Sequence, residues 1–256
     1  MSFYGIKAAA TRTRSAVWFL RTQGRPEGLG LRILFYHRVS NDRDELAVSP
    51  RSFRHQMDYL AAQSYRVVDV SEAVAILDNG AASSKTLGLS FDDGYLDIAE
   101  EALPILAERG FSATVFVSTG AIDGWTKFGW YPEQPQLLGW DEIRELDADG
   151  TLRFEAHSLT HANLPTLREA AARQEIAGSK RVLEARLGRP VQLFSYPFGL
   201  FGHRDRALVA EAGFREVDPG DAHASGRRPQ DARDHAQRRR LPRAAGAEER
   251  QEFALR

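Results

Sequence analysis

The 256-residue chain is 43% hydrophobic, carries 34 Lys and Arg against 35 Asp and Glu for a net charge of −1, and has no cysteine. That length and apolar content support one sizeable core and suit a single barrel-type domain rather than two small ones. Scattered, nearly balanced charges argue against nucleic acid as the main partner; the absence of Cys excludes disulfides and thiolate metal sites but leaves the compartment open.

The first 30 residues form a basic and aromatic extension, with Lys7, Arg12, Arg14, Arg21 and Arg25 around the short apolar stretch Ala16 to Leu20. The stretch is too short to span a bilayer or to serve as a signal-peptide core, and no small-residue cleavage site follows it. This places the chain in the cytoplasm or peripheral to the inner membrane face. The segment reads either as an interfacial helix on an anionic membrane or as a helix packed on the outside of the domain.

From Arg32 onward, short runs rich in β-branched and aromatic residues alternate with longer amphipathic segments. The runs are Ile33 to Tyr36, Tyr65 to Val68, Thr86 to Phe91, Ala113 to Val117, Leu152 to Ala156, Val191 to Phe194 and Phe214 to Val217. Ser49-Pro50 supplies a cap and a first-turn proline, Thr166-Leu167-Arg168-Glu169 reads as a capping box, and Gly110 and Gly188 stand where helices should stop. Seven strands alternating with helices imply a parallel α/β barrel or an open sheet. His55 and His203 fall in helices and read as surface residues.

The segment from Gly120 to Trp140 is longer than an ordinary connection and holds Trp125, Phe128, Trp130, Tyr131 and Trp140. It reads equally as a wall on which sugar faces stack or as a surface loop held down by its own aromatics. Beyond Val217 the large apolar side chains are reduced to Leu241, Phe253 and Leu255, so residues 218–256 read as a disordered polar tail, or as the product of a frameshift or truncation.

Chemistry concentrates in two motifs. The third run ends in Asp92-Asp93-Gly94, which places both acids at the C-terminal tip of a strand, and His157-Ser158-Leu159-Thr160-His161 follows the fifth run. Alone, the first motif reads as a turn and the second as two surface histidines. Together they supply two carboxylates and two imidazoles, enough to hold a metal and leave one acid free. His37 and Tyr196-Pro197-Phe198-Gly199 also follow strands, so all these groups gather at one end of a barrel.

These residues resemble the polysaccharide deacetylase (NodB-homology) family of metal-dependent carbohydrate esterases, over about Leu31 to Val217. The resemblance implies a distorted (β/α)7 barrel as the catalytic domain, residues 31–217, with closure at the C-terminus left in question by the tail. Carried over by position from the family's Thr-Phe-Asp-Asp-Gly and His-Ser/Thr-x-x-His motifs, Asp92 is the catalytic base and Asp93, His157 and His161 are metal ligands. Ser90 stands in place of the Thr. One divalent cation is implied, zinc first, with cobalt, nickel, manganese or iron accepted by the same donors.

The family's Arg-x-Pro-Tyr motif aligns with Ser195-Tyr196-Pro197-Phe198. The resemblance makes the Phe198 backbone N–H an oxyanion donor, with Tyr196 and Pro197 beside the substrate, while Ser195 replaces the Arg that orients the base. Glu155, two residues before His157 and so on the same strand face, is a candidate to orient a ligand imidazole or to stand in for that Arg. The family's C-terminal Leu-x-His motif is missing. However, Leu34-Phe35-Tyr36-His37-Arg38-Val39 is similar to the N-terminal Tyr-His segment of poly-N-acetylglucosamine deacetylases, which makes His37 the general acid; a core or supporting histidine is the plainer alternative. The expected activity is removal of acetyl groups from N-acetylated sugars of a glycan. O-acetyl ester or small cyclic amide hydrolysis at the same site, and glycan binding without turnover, are the alternatives.

Overall fold

The structure, a computed structural model, describes residues 32–81 and 85–217. The N-terminal extension and the tail beyond Val217 lie outside the described residues.

The seven apolar runs form one parallel sheet: β1 (Arg32–Tyr36), β2 (Arg66–Asp69), β3 (Thr86–Asp92), β4 (Ala113–Val117), β5 (Leu152–Ala156), β6 (Leu193–Ser195) and β7 (Arg215–Val217). Between them run α1 (Pro50–Ala62), α2 (Val70–Asp78), a π-helical turn (Ile98–Ala102) leading into α3 (Leu103–Ala107), α4 (Thr119–Ile122), α5 (Trp140–Asp149), α6 (Glu169–Leu187) and α7 (His203–Glu211). Every residue of β3 is buried, the pattern of a parallel strand covered on both faces. β1 pairs with residues 87–91 of β3, while β2 takes Thr86–Leu89 and β4 takes Ser90–Asp92. β2 and β4 therefore share the edge of β3 opposite β1. The order then continues β5, β6, β7, and among the described residues no ladder joins β7 back to β1, so the sheet curls without hydrogen-bonded closure.

Ser49 caps α1 through its hydroxyl, which accepts from the Ser52 N–H at 3.2 Å, with Pro50 in the first turn. From the buried side of α1, Phe53 meets Tyr36 at 5.2 Å and Phe91 at 5.8 Å between ring centroids, which joins β1, β3 and α1 in one core. Burying each such ring contributes roughly 1.5–3 kcal/mol.

Two local expectations need correction. Thr166 does not cap α6: its hydroxyl donates to the Asn163 carbonyl within a 3-10 turn (Leu164–Thr166), and Arg168 occupies the N-cap without a side-chain bond. β6 begins two residues later than its apolar run, and before it Glu184 accepts from the Val191 N–H and Glu155 from the Gln192 N–H. A feature with no sequence signature is a short parallel ribbon of Arg38–Val39 with Ala47–Val48, directly after His37. Among the described residues no helix is long and apolar enough to cross a membrane. Because all the main strands are parallel, their C-terminal tips lie at one end of the sheet.

Candidate metal centre

At the tip of β3, Asp93 and Gly94 both adopt left-handed backbone, φ 74° and 80°. A Cβ on Gly94 would stand 2.8 Å from Val117, so this position of the turn requires glycine. The turn carries Asp93 into the interior, where it is 1% exposed. Tyr95 donates its hydroxyl to Asp93 Oδ2 at 3.2 Å, which leaves Oδ1 buried without a hydrogen-bond partner.

That unpartnered oxygen faces the two imidazoles, at 3.8 Å from His157 Nε2 and 3.4 Å from His161 Nε2. One donor atom from each of Asp93, His157 and His161 lies within 4.8 Å of the others. His157 extends β5 by one residue and donates from Nδ1 to the Ser195 carbonyl at 2.9 Å, so its Nε2 carries the lone pair. The chain then reverses in a loop, not a helical turn, with Ser158 and His161 at φ 64° and 56°. Glu175 of α6 anchors this loop by accepting from the Thr160 N–H at 2.8 Å and from its hydroxyl at 2.7 Å. Leu159 is wedged between two glycines: a Cβ on Gly120 would meet its carbonyl oxygen at 2.8 Å, and one on Gly178 its side chain at 2.5 Å.

Burial dominates the electrostatics. It pushes the Asp93 carboxyl up to about 7, and, with the charge of Asp93 adding to it, holds Asp92 well above the usual carboxylate range. His161 falls to about 3 and His157 well below the ordinary imidazole value, again by burial first. With neutral imidazoles, the contacts of Asp93 to the histidines are not salt bridges. An acid oxygen with no donor and two imidazole Nε2 atoms converging on it, one of them, on His157, already the lone-pair nitrogen, are instead what a divalent cation would satisfy. The donor set fits the expected cation.

His37, after β1, is close enough for its charge to depress both His157 and His161. Burial lowers its own pKa to about 4, against the opposing pull of Asp44. Of the β6 motif, Phe198 faces the site: it is left-handed at φ 61°, 50% exposed, with its ring 4.5 Å from that of His161. Tyr196 and Pro197 are buried beneath it, the Tyr196 ring packing on Phe194 and Phe201. Ser195 contributes its carbonyl to His157 rather than any contact with Asp92.

Glu155 is fully buried, yet it bonds neither His157 nor Asp92. It accepts from the Gln192 and Leu193 N–H groups at 2.8 and 2.7 Å and pairs with Arg153 and Arg189, both at 3.2 Å. Its place is therefore at the β5–β6 seam, where only Ala156 and Phe194 pair. His55 and His203 are exposed on helices, as expected.

The aromatic segment divides. Phe128 and Trp130 stack at 4.8 Å, and both meet the His161 ring edge-on, at 5.4 and 4.9 Å. Trp125 is 68% exposed, and Trp140 is tied to Asp123 through its indole N–H at 2.7 Å. Sequence reasoning missed Glu175, Gly120, Gly178 and Tyr95 as supports. Tyr95 alone had a local signal, two residues beyond Asp93.

The chain is similar to the Bacillus subtilis (strain 168) protein YxkH, 26% identical over 196 residues, which covers 75% of this chain and 66% of YxkH. It is 22% identical over 190 residues to the poly-beta-1,6-N-acetyl-D-glucosamine N-deacetylase of Staphylococcus aureus (strain MRSA252), across 71% of this chain and 64% of that protein. The chain thus spans just under two thirds of the length of these relatives. Among solved structures, IcaB from Ammonifex degensii matches with a TM-score of 0.65 and 27% identity, covering 82% of this chain and 97% of IcaB. The profile of the family described as Polysaccharide deacetylase matches residues 79–217, just over half of the chain, a span that includes Asp92, Asp93, His157 and His161. The chain belongs to the polysaccharide deacetylase family.

Proposed function

We propose that this chain hydrolyses the acetamide of N-acetylated sugars within a glycan, through a metal-dependent reaction without a covalent intermediate. The observation that carries the reading is the buried Asp93, its Oδ1 unpartnered and directed at the Nε2 atoms of His157 and His161, with a second acid adjacent at Asp92. Those three residues would hold one divalent cation, zinc first. When bound, the cation supplies Lewis acidity for the acetyl carbonyl and lowers the pKa of water.

Asp92, buried and raised in pKa, takes a proton from the attacking water as its oxygen adds to the acetyl carbon. The Phe198 backbone N–H serves the developing oxyanion. His37, as the imidazolium, donates a proton to the sugar nitrogen as the carbon–nitrogen bond breaks and is recharged by the proton that Asp92 took from water. Acetic acid, which ionises to acetate, and a free amino sugar leave. Trp130, set against His161 and backed by the buried Phe128, gives the sugar an apolar face to lie on. Similarity to the Staphylococcus aureus enzyme supports a poly-N-acetylglucosamine substrate. The test is acetate release from β-1,6-linked N-acetylglucosamine oligomers against acetylated xylan, with metal content measured on the same preparation. Release from the oligomers by metal-loaded protein alone is expected; release only from xylan would move the reading to an O-acetyl esterase.

A further inference from the structure

Tyr131 lies in the aromatic segment and Asp44 in the loop of the ribbon that follows His37, 87 residues apart. The Tyr131 hydroxyl donates to Asp44 Oδ2 at 2.6 Å. Asp44 is otherwise fully held: Oδ1 accepts from the Leu46 N–H at 3.0 Å, and Oδ2 accepts from Arg38 Nη1 at 2.9 Å. Arg38, the residue after His37, is buried and also reaches Asp42 at 2.7 Å and Asp97 at 2.8 Å. Asp97 closes the ring by accepting from the Val39 N–H at 3.2 Å. The ribbon that follows His37 is therefore tied to the turn that leads out of Asp93. The aromatic segment joins it here through one hydrogen bond to a charged acceptor.

The residue before Tyr131 is Trp130, whose ring stands 4.9 Å from His161 and 5.8 Å from Phe198. We propose that Tyr131 is a positioning residue for sugar recognition: its bond to Asp44 latches the aromatic segment to the His37 ribbon and so fixes the Trp130 face relative to the proton donor. This rests on the deacetylase reading for its consequence in turnover, though not for the latch itself. Three carboxylates surround one guanidinium, so Asp44 keeps an excess of negative charge for the phenol to answer, and a hydrogen bond to a charged group is among the stronger kinds. The Tyr131 ring packs 6.1 Å from both Tyr95 and Trp130, which a phenylalanine would keep, and its hydroxyl also meets the Tyr95 hydroxyl, a contact that Asp44→Asn leaves in place.

The experiment uses Tyr131→Phe and Asp44→Asn in the full chain, the second retaining Arg38 pairs to Asp42 and Asp97. KM for N-acetylglucosamine oligomers should rise about tenfold in each variant, and the double variant should raise it no more than the poorer single one. In Tyr131→Phe kcat should fall less than about threefold, whereas Asp44→Asn, which also removes the charge that opposes the lowering of the His37 pKa, is read on KM and quenching. Acrylamide quenching of indole fluorescence should increase in both variants, and the increase should vanish when Trp130→Phe is added. Metal content should equal that of the parent. Unchanged KM with unchanged quenching overturns the proposal, as does a loss confined to kcat in Tyr131→Phe. A parent protein that releases no acetate defeats the functional reading alone, and the quenching result then decides the latch. If Tyr131→Phe does not fold, Asp44→Asn supplies both readouts.

Discussion

The Ser195 carbonyl accepts the Nδ1 hydrogen of His157 at 2.9 Å, so the main chain of β6 sets the tautomer of a metal-ligand candidate on β5. The side chain at position 195 takes no part in this bond. The Ser that stands where the family pattern has Arg therefore leaves the histidine's support untouched.

The adjacent acids should separate under mutation. Asp93→Asn, His157→Ala and His161→Ala should each lose metal and activity, because each removes one of three converging donors. Asp92→Asn should retain metal and lose turnover. Elemental analysis alongside acetate release checks this, and metal-free Asp92→Asn would reverse the assignment of base and ligand.

His37 is the proposed proton donor to a poor leaving group. His37→Ala should slow acetamide hydrolysis by roughly a hundredfold while changing aryl-acetate hydrolysis little, since a phenolate leaves without help. Equal losses on both substrates with metal retained would show instead that His37 supports the site's structure.

Metal uptake should follow the titration of Asp93. In the metal-free protein its carboxyl sits at about 7 and His161 at about 3, so between pH 5 and 7 a cation must displace a proton from the acid while His161 is already neutral. Affinity should rise with pH to about 7 and then level off, with proton release visible by calorimetry in two buffers of different ionisation enthalpy. The sign for stability is opposite. A carboxyl raised on folding contributes most below its ordinary pKa and loses that contribution as pH climbs through its folded value, and Asp92 shifts in the same direction. The buried imidazoles of His37, His157 and His161 are lowered on folding and act in the opposite direction up to their ordinary value of 6.5. Metal-free Tm should therefore fall only above about pH 6.5, and should recover on adding the cation; an affinity independent of pH between 5 and 7 would refute the account.

Glu155 should matter to the fold more than to the chemistry. Glu155→Gln removes a fully buried charge from Arg153, Arg189 and two β6 N–H groups, and should cost roughly 3 kcal/mol of stability. Denaturant unfolding measures the loss. At temperatures where the variant is folded, its kcat should stay within a few-fold of the parent.

Much of this architecture was legible in the residues. The seven strands announced themselves because parallel strands buried on both faces are continuous apolar runs, and Asp-Asp-Gly marked a strand tip because only a turn follows such a run. What escaped was held by contacts distant in sequence. The two-residue strands of the 38–48 ribbon are too short to show a period. Glu175 gives no sign in α6 that it ties down the loop before His161, and Glu155, read correctly as inward-facing, spends its bonds on the edge of β6. Thr166 had the spacing of a cap, but Pro165 beside it sits in a 3-10 turn that claims its hydroxyl.

Four residues with side chains hold left-handed backbone around this centre: Asp93, Ser158, His161 and Phe198. Each such position costs of order 1 kcal/mol or more, and the surrounding packing must hold it in place. A cation bridging Asp93 and His161 would pin two of the four directly, which makes the occupied site a clasp for its own loops. Chelation would then act first as local loosening. Amide hydrogens from 158 to 161 and in the turn after Asp93 would exchange with solvent well before those of β3, and the protein would lose the shape of its reaction centre while its sheet remained intact.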